Sequence, residues 1–563
     1  MGVPGDKSGG IPPDKGILTP RQYTACLVAA CGFLALLFLV KMPTQFVSGD
    51  APDEVNWALD ADSEIRSSHL LTTPFNRCIL TLSGAKSWAD KPFLVMQVVS
   101  IAIGLGCMVL LYRTIVLWDV ARGWALFFTM VFGLSSGMRE HTMFAETGIH
   151  PQFFTVLGLY FLAQYLRGEV NRRVYLVLLL ASFSMSVLFA LNMVLLIPGV
   201  IAALLWDQRR RRDISVPRIL VTAAAVFVSL LVVPFLVGAF LHGVRSVPEF
   251  FRWMLVHPEA ERLTHMRRSW GAVRLLRPVA GLIRVFWYIG AGLKVVKITL
   301  RGDSFQAVGL RPYLSLAFGL SVLFSVGVLT VKGTAARRKD PLTLCFWIGL
   351  ALLYGFNAYW TGSDTQFWLP GLPMILLLTA AGATAWFEVQ RRRPVVLVLL
   401  GPIAVTLALA VQSGTELPSL VCPSGGPAVA RARRFAGHLA AGDVVFVPGR
   451  GWSRYLPSMR SDVNIVSLPY DRSLGKGEAC VANVTALVRQ ALVSGHRVCF
   501  DGLVGPKHPD HYGMWQMFQS GTGVSREQLR VCLEERYALN PVADSSFGGM
   551  HLVRRRVSGQ EER

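Results

Sequence analysis

Gly49-Asp50-Ala51-Pro52-Asp53-Glu54-Val55-Asn56-Trp57 sets three carboxylates just beyond the first long apolar run, residues 23–40. If that run crosses a membrane, the carboxylates stand at the water boundary. They stay ionised there, yet can face a lipid-borne reactant. A general base taking a proton from an acceptor hydroxyl needs such a place. The plain alternative is a solvated loop end in which Asp53 and Glu54 only begin a helix. The rest of the chain decides between them.

Composition points to the membrane. Of the 563 residues, 52% are hydrophobic and only 16% charged, and the mean hydropathy is +0.45. A soluble domain carries roughly a quarter of its residues as charges. The net charge of +21 does not indicate nucleic acid. Much of the Arg and Lys falls in short clusters between apolar runs, as the positive-inside rule requires.

Apolar runs recur at about 23–41, 93–112, 124–138, 150–166, 174–190, 192–206, 218–241, 312–331, 341–356, 367–387 and 395–412. The stretch 174–206 is split near Ala190-Leu191-Asn192, because basic clusters at both of its ends require an even number of crossings. The clusters at Arg167/Arg172/Arg173, 209–212, 337–339 and 391–393 place the N-terminus inside. The loop after the first span and everything after the last one then face outside. A retained anchor follows a Gly- and Pro-rich tail over 1–22, since no small-residue cleavage site succeeds the first run.

Three external segments stand out: 41–92, 242–311 and 413–563. Within the second, 278–300 reads as an interfacial amphipathic helix, with a further span as the alternative. The third reads as a small α/β domain of parallel type. Its strands are expected at 443–448, 463–468, 497–500 and 550–553, with a helix at 481–493. Four of the nine cysteines, Cys422, Cys480, Cys499 and Cys532, lie there in a disulfide-permissive compartment, and their pairing stays open.

A second constellation joins Arg139-Glu140-His141 to Glu146 and His150. Glu146 and His150 share a helix face if the fourth span starts early, or form a polar cap before Pro151. The third is Gln366-Phe367-Trp368-Leu369-Pro370-Gly371-Leu372-Pro373, where two prolines shape a helix start beside the outer face. The fourth is the external arginine content, Arg267 and Arg268 included. Arginine forks bind phosphate, although anionic headgroups would attract them equally.

Taken together, these features resemble the GT-C glycosyltransferases, in the branch of protein O-mannosyltransferases and lipid A aminoarabinose transferases. The resemblance covers roughly residues 20–412. With the apolar runs and the strand pattern beyond it, the chain reads as a polytopic α-helical membrane protein of about eleven transmembrane helices, GT-C-like, with an extracytoplasmic C-terminal α/β domain that the resemblance does not cover. The resemblance implies an inverting transferase that takes a sugar from a polyprenyl-phosphate donor. The acceptor is a hydroxyl on a lipid, glycan or protein. The family's Asp-Glu pair falls on Asp53 and Glu54, and its second acid on Glu146. The extra Asp50 leaves the base open between Asp50 and Asp53. Where the family carries Arg-Tyr before the late Leu-Pro-x-x-Pro, this chain has Gln366-Phe367. Phosphate binding is therefore assigned to external arginines, with His150, Arg139, Gln366 and Trp57 completing the substrate contacts. No cofactor is expected, and three carboxylates without fixed geometry are weak grounds for a divalent ion. The rival functions are a transporter of a lipid-linked intermediate and a non-catalytic scaffold.

Overall fold

A computed structural model describes residues 19–41, 51–59, 69–87, 90–144, 148–167, 171–211, 232–242, 244–250, 272–287, 310–359, 365–389, 426–448, 455–468, 474–504, 522–541 and 550–555, with positions 217, 221, 224, 409, 515, 518 and 519. The tail before residue 19 and most of the runs 218–241 and 395–412 lie outside them.

Helix α1 (Pro20–Lys41) opens with a reciprocal cap. Thr19 N donates to Gln22 Oε1 at 2.7 Å while Gln22 N donates to Thr19 Oγ1 at 3.3 Å. Pro20 then occupies the first helical position, where no amide hydrogen is needed. Short helices α2 (Ala51–Leu59) and α3 (Thr72–Ser83) follow. Next come α4 (Pro92–Leu117), α5 (Arg122–Leu134), α6 (Ser136–Met143), α7 (Ile149–Arg167) and α8 (Arg172–Phe189). The expected split of the long run is present. Ala190 is extended (φ −152°, ψ 115°), a 3-10 turn covers Leu191–Leu196, and α9 (Ile197–Arg211) resumes.

After α10 (Val233–His242) and α11 (Ala272–Phe286) come α12 (Leu310–Ala336), α13 (Pro341–Tyr359) and α14 (Gly371–Val389). Among the described residues, six helices are long and apolar enough to cross a membrane: Pro20–Val40, Pro92–Leu117, Arg172–Phe189, Leu191–Arg210, Ala317–Ala336 and Pro341–Ala358. Arg122–Leu134 and Gly371–Phe387 are shorter and equally apolar in character. The chain is an integral membrane protein.

Of the expected amphipathic segment, residues 278–287 are described and 288–300 lie outside the described residues. Its helix starts earlier, at Ala272, and Pro278, Ile283, Val285 and Phe286 are buried. A Cβ on Gly137 of α6 would fall 2.4 Å from Val285 Cγ2, and Tyr354 Oη of α13 donates to Leu275 O at 2.6 Å. Over these residues, part of the apolar face packs on α6 and α13.

Helices α12 and α14 cross at near-contact of their backbones. A Cβ on Gly333 would meet Leu378 O at 1.9 Å, and one on Gly382 would meet Leu329 O at 1.9 Å. Thr330 and Thr379 hydroxyls pair 3.0 Å apart in the same crossing. Where lipid offers no hydrophobic drive, such small-residue approaches supply the dispersion contact that holds helices together.

From Gly426 the chain forms α15 (Gly426–Ala436), β1 (Val444–Val447), β2 (Asn464–Ser467), α16 (Glu478–Val493), β3 (Val498–Asp501), α17 (Arg526–Glu534), β4 (Tyr537–Pro541) and β5 (Met550–Arg555). The sheet order is β2-β1-β3-β5-β4. Strand β1 pairs parallel with β2 and β3, whereas β5 pairs antiparallel with β3 and β4, so the sheet is mixed rather than wholly parallel. Phe446, Val498 and Phe500 face Cys480 and Leu529 on one side. Val445, Val447 and Cys499 face Phe435 and Leu456 on the other. A Cys480–Cys499 disulfide is thus excluded by the sheet between them. Cys499 and Cys532 are free thiols, and Cys422 lies outside the described residues.

Two outcomes follow. Gly333→Leu or Gly382→Leu should force the α12–α14 crossing apart and cost about 1–3 kcal/mol or more, read as a lowered melting temperature in detergent. Gly327→Ala, on the same helix with open space around it, should change nothing. Burial, reinforced by nearby Asp443, pushes the Cys499 thiol up to about 12. The stability it contributes is intact below the ordinary thiol pKa of about 8.5 and is lost as pH rises toward the folded value. The loss of stability between pH 9 and pH 11 should therefore be smaller in Cys499→Ala than in the wild type, measured by denaturation midpoints.

Candidate functional site

The first turn of α2 carries the backbone of Asp53 and Glu54, with Pro52 just before them. Acidic residues and proline both suit a helix start. Val55 and Ala58 bury that helix against Leu80, Ala85 and Met96, at the start of α4. At its other end, Arg77 Nη2 of α3 donates to Trp57 O at 3.2 Å, satisfying a carbonyl that the last turn leaves without a helical partner. Trp57 itself is half-buried. Asp50 lies outside the described residues.

Helix α3 also closes the end of α8. The extended Ala190 strands the last carbonyls of α8, and residues 69–72 supply their donors. Leu71 N donates to Leu188 O at 3.1 Å, and Thr72 Oγ1 to Phe189 O at 3.3 Å. His69 Nδ1 lies 2.9 Å from the same Phe189 oxygen. A carbonyl only accepts, so Nδ1 carries the proton. His69 is thus a capping residue for α8.

His150, 4% exposed, sits in this aromatic seam. Its ring stacks on Phe189 at 5.5 Å and meets the edge of Phe75 at 4.9 Å. Helix α7 begins at Ile149, so His150 stands in its first turn. Glu146 lies outside the described residues.

Arg139 and His141 belong to a short helix rather than a loop. Ser135 breaks α5 from α6: its Oγ donates to Phe132 O at 2.7 Å and accepts from Met138 N at 3.4 Å. Arg139 is 4% exposed and His141 1%. Gln97 Nε2 of α4 donates to Met143 O at 2.7 Å and ties the end of α6 to the helix that seats α2. Thr365 Oγ1 donates to Glu140 Oε2 at 2.9 Å, bringing the turn before α14 to the same end. Gln366 is half-buried in that turn. The two prolines flank Gly371 and Leu372 at the helix start, as their spacing predicts.

The described contacts place α2, which carries Asp53, Glu54 and Trp57, at the same end of the bundle as Arg139 of α6, His150 of α7 and the turn holding Gln366. Arg267 and Arg268 lie outside the described residues. Among those described, no group of three His, Cys, Asp or Glu side chains could hold a metal ion. Sequence reading missed Arg77, His69 with Thr72, and the Glu140–Thr365 link. Each joins residues distant in the chain, and only Glu140 carried a local signal, between Arg139 and His141.

Replacing His69 with Leu and Thr72 with Val should leave Phe189 O without a side-chain donor. A buried unsatisfied carbonyl costs about 1–3 kcal/mol. The double variant should melt lower than either single one in thermal denaturation, because each residue retains part of the cap alone.

No protein-family model matches the sequence, and no curated protein matches it. Solved structures do. ArnT from Cupriavidus metallidurans bound to undecaprenyl phosphate superposes with a TM-score of 0.57 at 13% identity, over 95% of this chain and 98% of that one. The same protein in the apo state gives 0.54 at 14% identity, over 94% and 98%. The S. cerevisiae Pmt1–Pmt2 protein O-mannosyltransferase complex reaches 0.33 over 45% of this chain and 38% of that one, too slight to speak to the fold. This chain shares the fold of ArnT over nearly its whole length.

Proposed function

We propose that the protein is a glycosyltransferase that moves a sugar from a polyprenyl-phosphate donor to an acceptor hydroxyl at the outer face of the membrane. The observation that carries this reading is the seating of α2. A short helix with Asp53 and Glu54 in its first turn is fixed, through Met96, to the same end of α4 as the α6–α7 junction and the turn before α14. The likeness to ArnT, whose structure holds undecaprenyl phosphate, supports the donor class. The arginine clusters at the other helix ends support an inside N-terminus.

In this reading the carboxylate of Asp53, or of Asp50, takes the proton of the acceptor hydroxyl. The freed oxygen forms a bond to C1 of the sugar as the C1–oxygen bond to phosphate breaks. The bonding electrons leave with the polyprenyl phosphate, and attack from the opposite side inverts the anomeric centre. The external arginines, Arg267 and Arg268 among them, balance the phosphate charge as it grows. Glu54 and Glu146 orient the acceptor or the donor, beside Arg139, His150, Gln366 and Trp57. Sheet and helices after residue 413 form an extracytoplasmic domain. Acceptors of this chemistry are a lipid, a glycan or a protein.

Turnover is tested with purified protein in nanodiscs and a panel of synthetic polyprenyl-phosphate sugars, following release of polyprenyl phosphate. Asp53→Asn should lower release by roughly 10²–10⁴ while leaving the melting temperature unchanged. Unchanged release in that variant together with loss in Asp50→Asn moves the base to Asp50. Release from no donor by folded protein contradicts the transferase reading and favours transport of a lipid-linked intermediate.

A further inference from the structure

The other end of the bundle holds charge that the proposed transfer does not use. Helix α4 has 26 residues, which at 1.5 Å per residue separates its two ends by about 39 Å. Beyond its last turn, the end of α7, the end of α9 and the start of α13 surround a cavity of about 410 Å³. Among the described residues its lining is Leu166, Arg167, Asp207, Arg210, Asp340 and Pro341.

Both carboxylates in that lining are already held. Asp207, 4% exposed, is ion-paired to Arg172. The Arg172 guanidinium also donates to Tyr165 O at 3.0 Å and lies 4.3 Å from the centre of the Tyr165 ring. Asp340 accepts from Trp118 Nε1 at 2.7 Å and from Leu342 N at 2.9 Å, and lies 3.7 Å from Arg167. Arg167 pairs with Asp119, and Arg337 secures the turn by donating to Trp118 O at 3.0 Å. Arg210 differs. It lines the same cavity, is exposed, and its side chain makes no hydrogen bond or ion pair among the described residues. The carboxylates are therefore not available to a cation, and the uncommitted charge is a guanidinium fork.

We infer that this cavity is an anion site, binding a phosphate group through Arg210 with Arg167 beside it. A planar guanidinium matches phosphate in two parallel hydrogen bonds. Basic pockets between membrane helices suit phosphate-bearing headgroups. The phosphate belongs to an anionic phospholipid or is free in solution, and the chemistry of recognition is the same for both. In the orientation proposed above, the site opens on the inner leaflet, on the far side of the membrane from the transfer.

The test uses the full-length protein in nanodiscs of phosphatidylcholine alone or with phosphatidylglycerol, and a separate titration with inorganic phosphate. Readouts are lipid retained in native mass spectrometry and the shift in melting temperature. Wild type should retain phosphatidylglycerol or respond to phosphate, and Arg210→Ala should weaken that response about tenfold or more, as expected for one charge-assisted contact. Arg338→Ala removes an exposed charge outside the cavity lining and should behave as wild type. A response to phosphatidylglycerol alone assigns the phosphate to lipid; an equal response to inorganic phosphate assigns it to solution. Equal weakening by the Arg210 and Arg338 variants, or none by either, overturns the site.

Discussion

A peptide group in hydrocarbon must find its hydrogen bond inside its own segment or from a neighbour that protein holds in place. That constraint makes the apolar runs helices. It also makes every break in a helix informative, because each break strands carbonyls or amides that something must satisfy. Three breaks meet at one end of this bundle. Ser135 divides α5 from α6 and caps both sides with one hydroxyl. Ala190 ends α8, and the carbonyls left behind are taken by residues 69–72. The turn before α14 is fastened to Glu140 through Thr365. Irregular backbone is tolerated at membrane depth only where protein covers it or a cavity opens beside it. Its concentration at this end marks where a site has room to form.

Among the described residues, many of the helices were legible from the apolar runs. The split near Ala190 followed from the two basic clusters, which demanded an even number of crossings within 33 residues of chain. The start of α14 followed from proline spacing. Other features were hidden for identifiable reasons. A Ser-Gly pair inside an apolar run gave no warning of a new helix at Ser136, because the cap at Ser135 works through one hydroxyl. Segment 278–300 has the amphipathic pattern of a surface helix, and in its described part, 278–287, that pattern also serves packing against α6. Strand β4 (Tyr537–Pro541) ends in Asn540-Pro541 and reads as a turn; it is an edge strand, where proline is tolerated. The antiparallel β5 then turned an expected parallel sheet into a mixed one.

Within the candidate site, legibility divided along the same line. Local patterns singled out Asp53, Glu54, Arg139 and His150 as candidates. Long-range contacts decided what several residues do. His69 has a ring nitrogen 120 positions from the carbonyl it caps, and Thr365 is 225 positions from Glu140. No local spacing encodes such pairs. They arise when helices that are each individually satisfied must also satisfy one another's broken ends. The two ends of the bundle illustrate this differently. At one, neutral donors and aromatic rings cover the breaks around α2. At the other, arginines and aspartates tie the turns of α4, α7, α9 and α13 into a charged rim.

The central claim is that α2, the α6–α7 junction and the turn before α14 surround one donor-binding volume. It is tested most directly by photo-crosslinking a polyprenyl phosphate that carries its reactive group beside the phosphate, followed by peptide mapping. The account predicts labelled peptides from residues 51–59, 139–150 and 365–370, competed away by unmodified polyprenyl phosphate. Labelling confined to the sheet after residue 443, or to the charged rim at the opposite end, would contradict it.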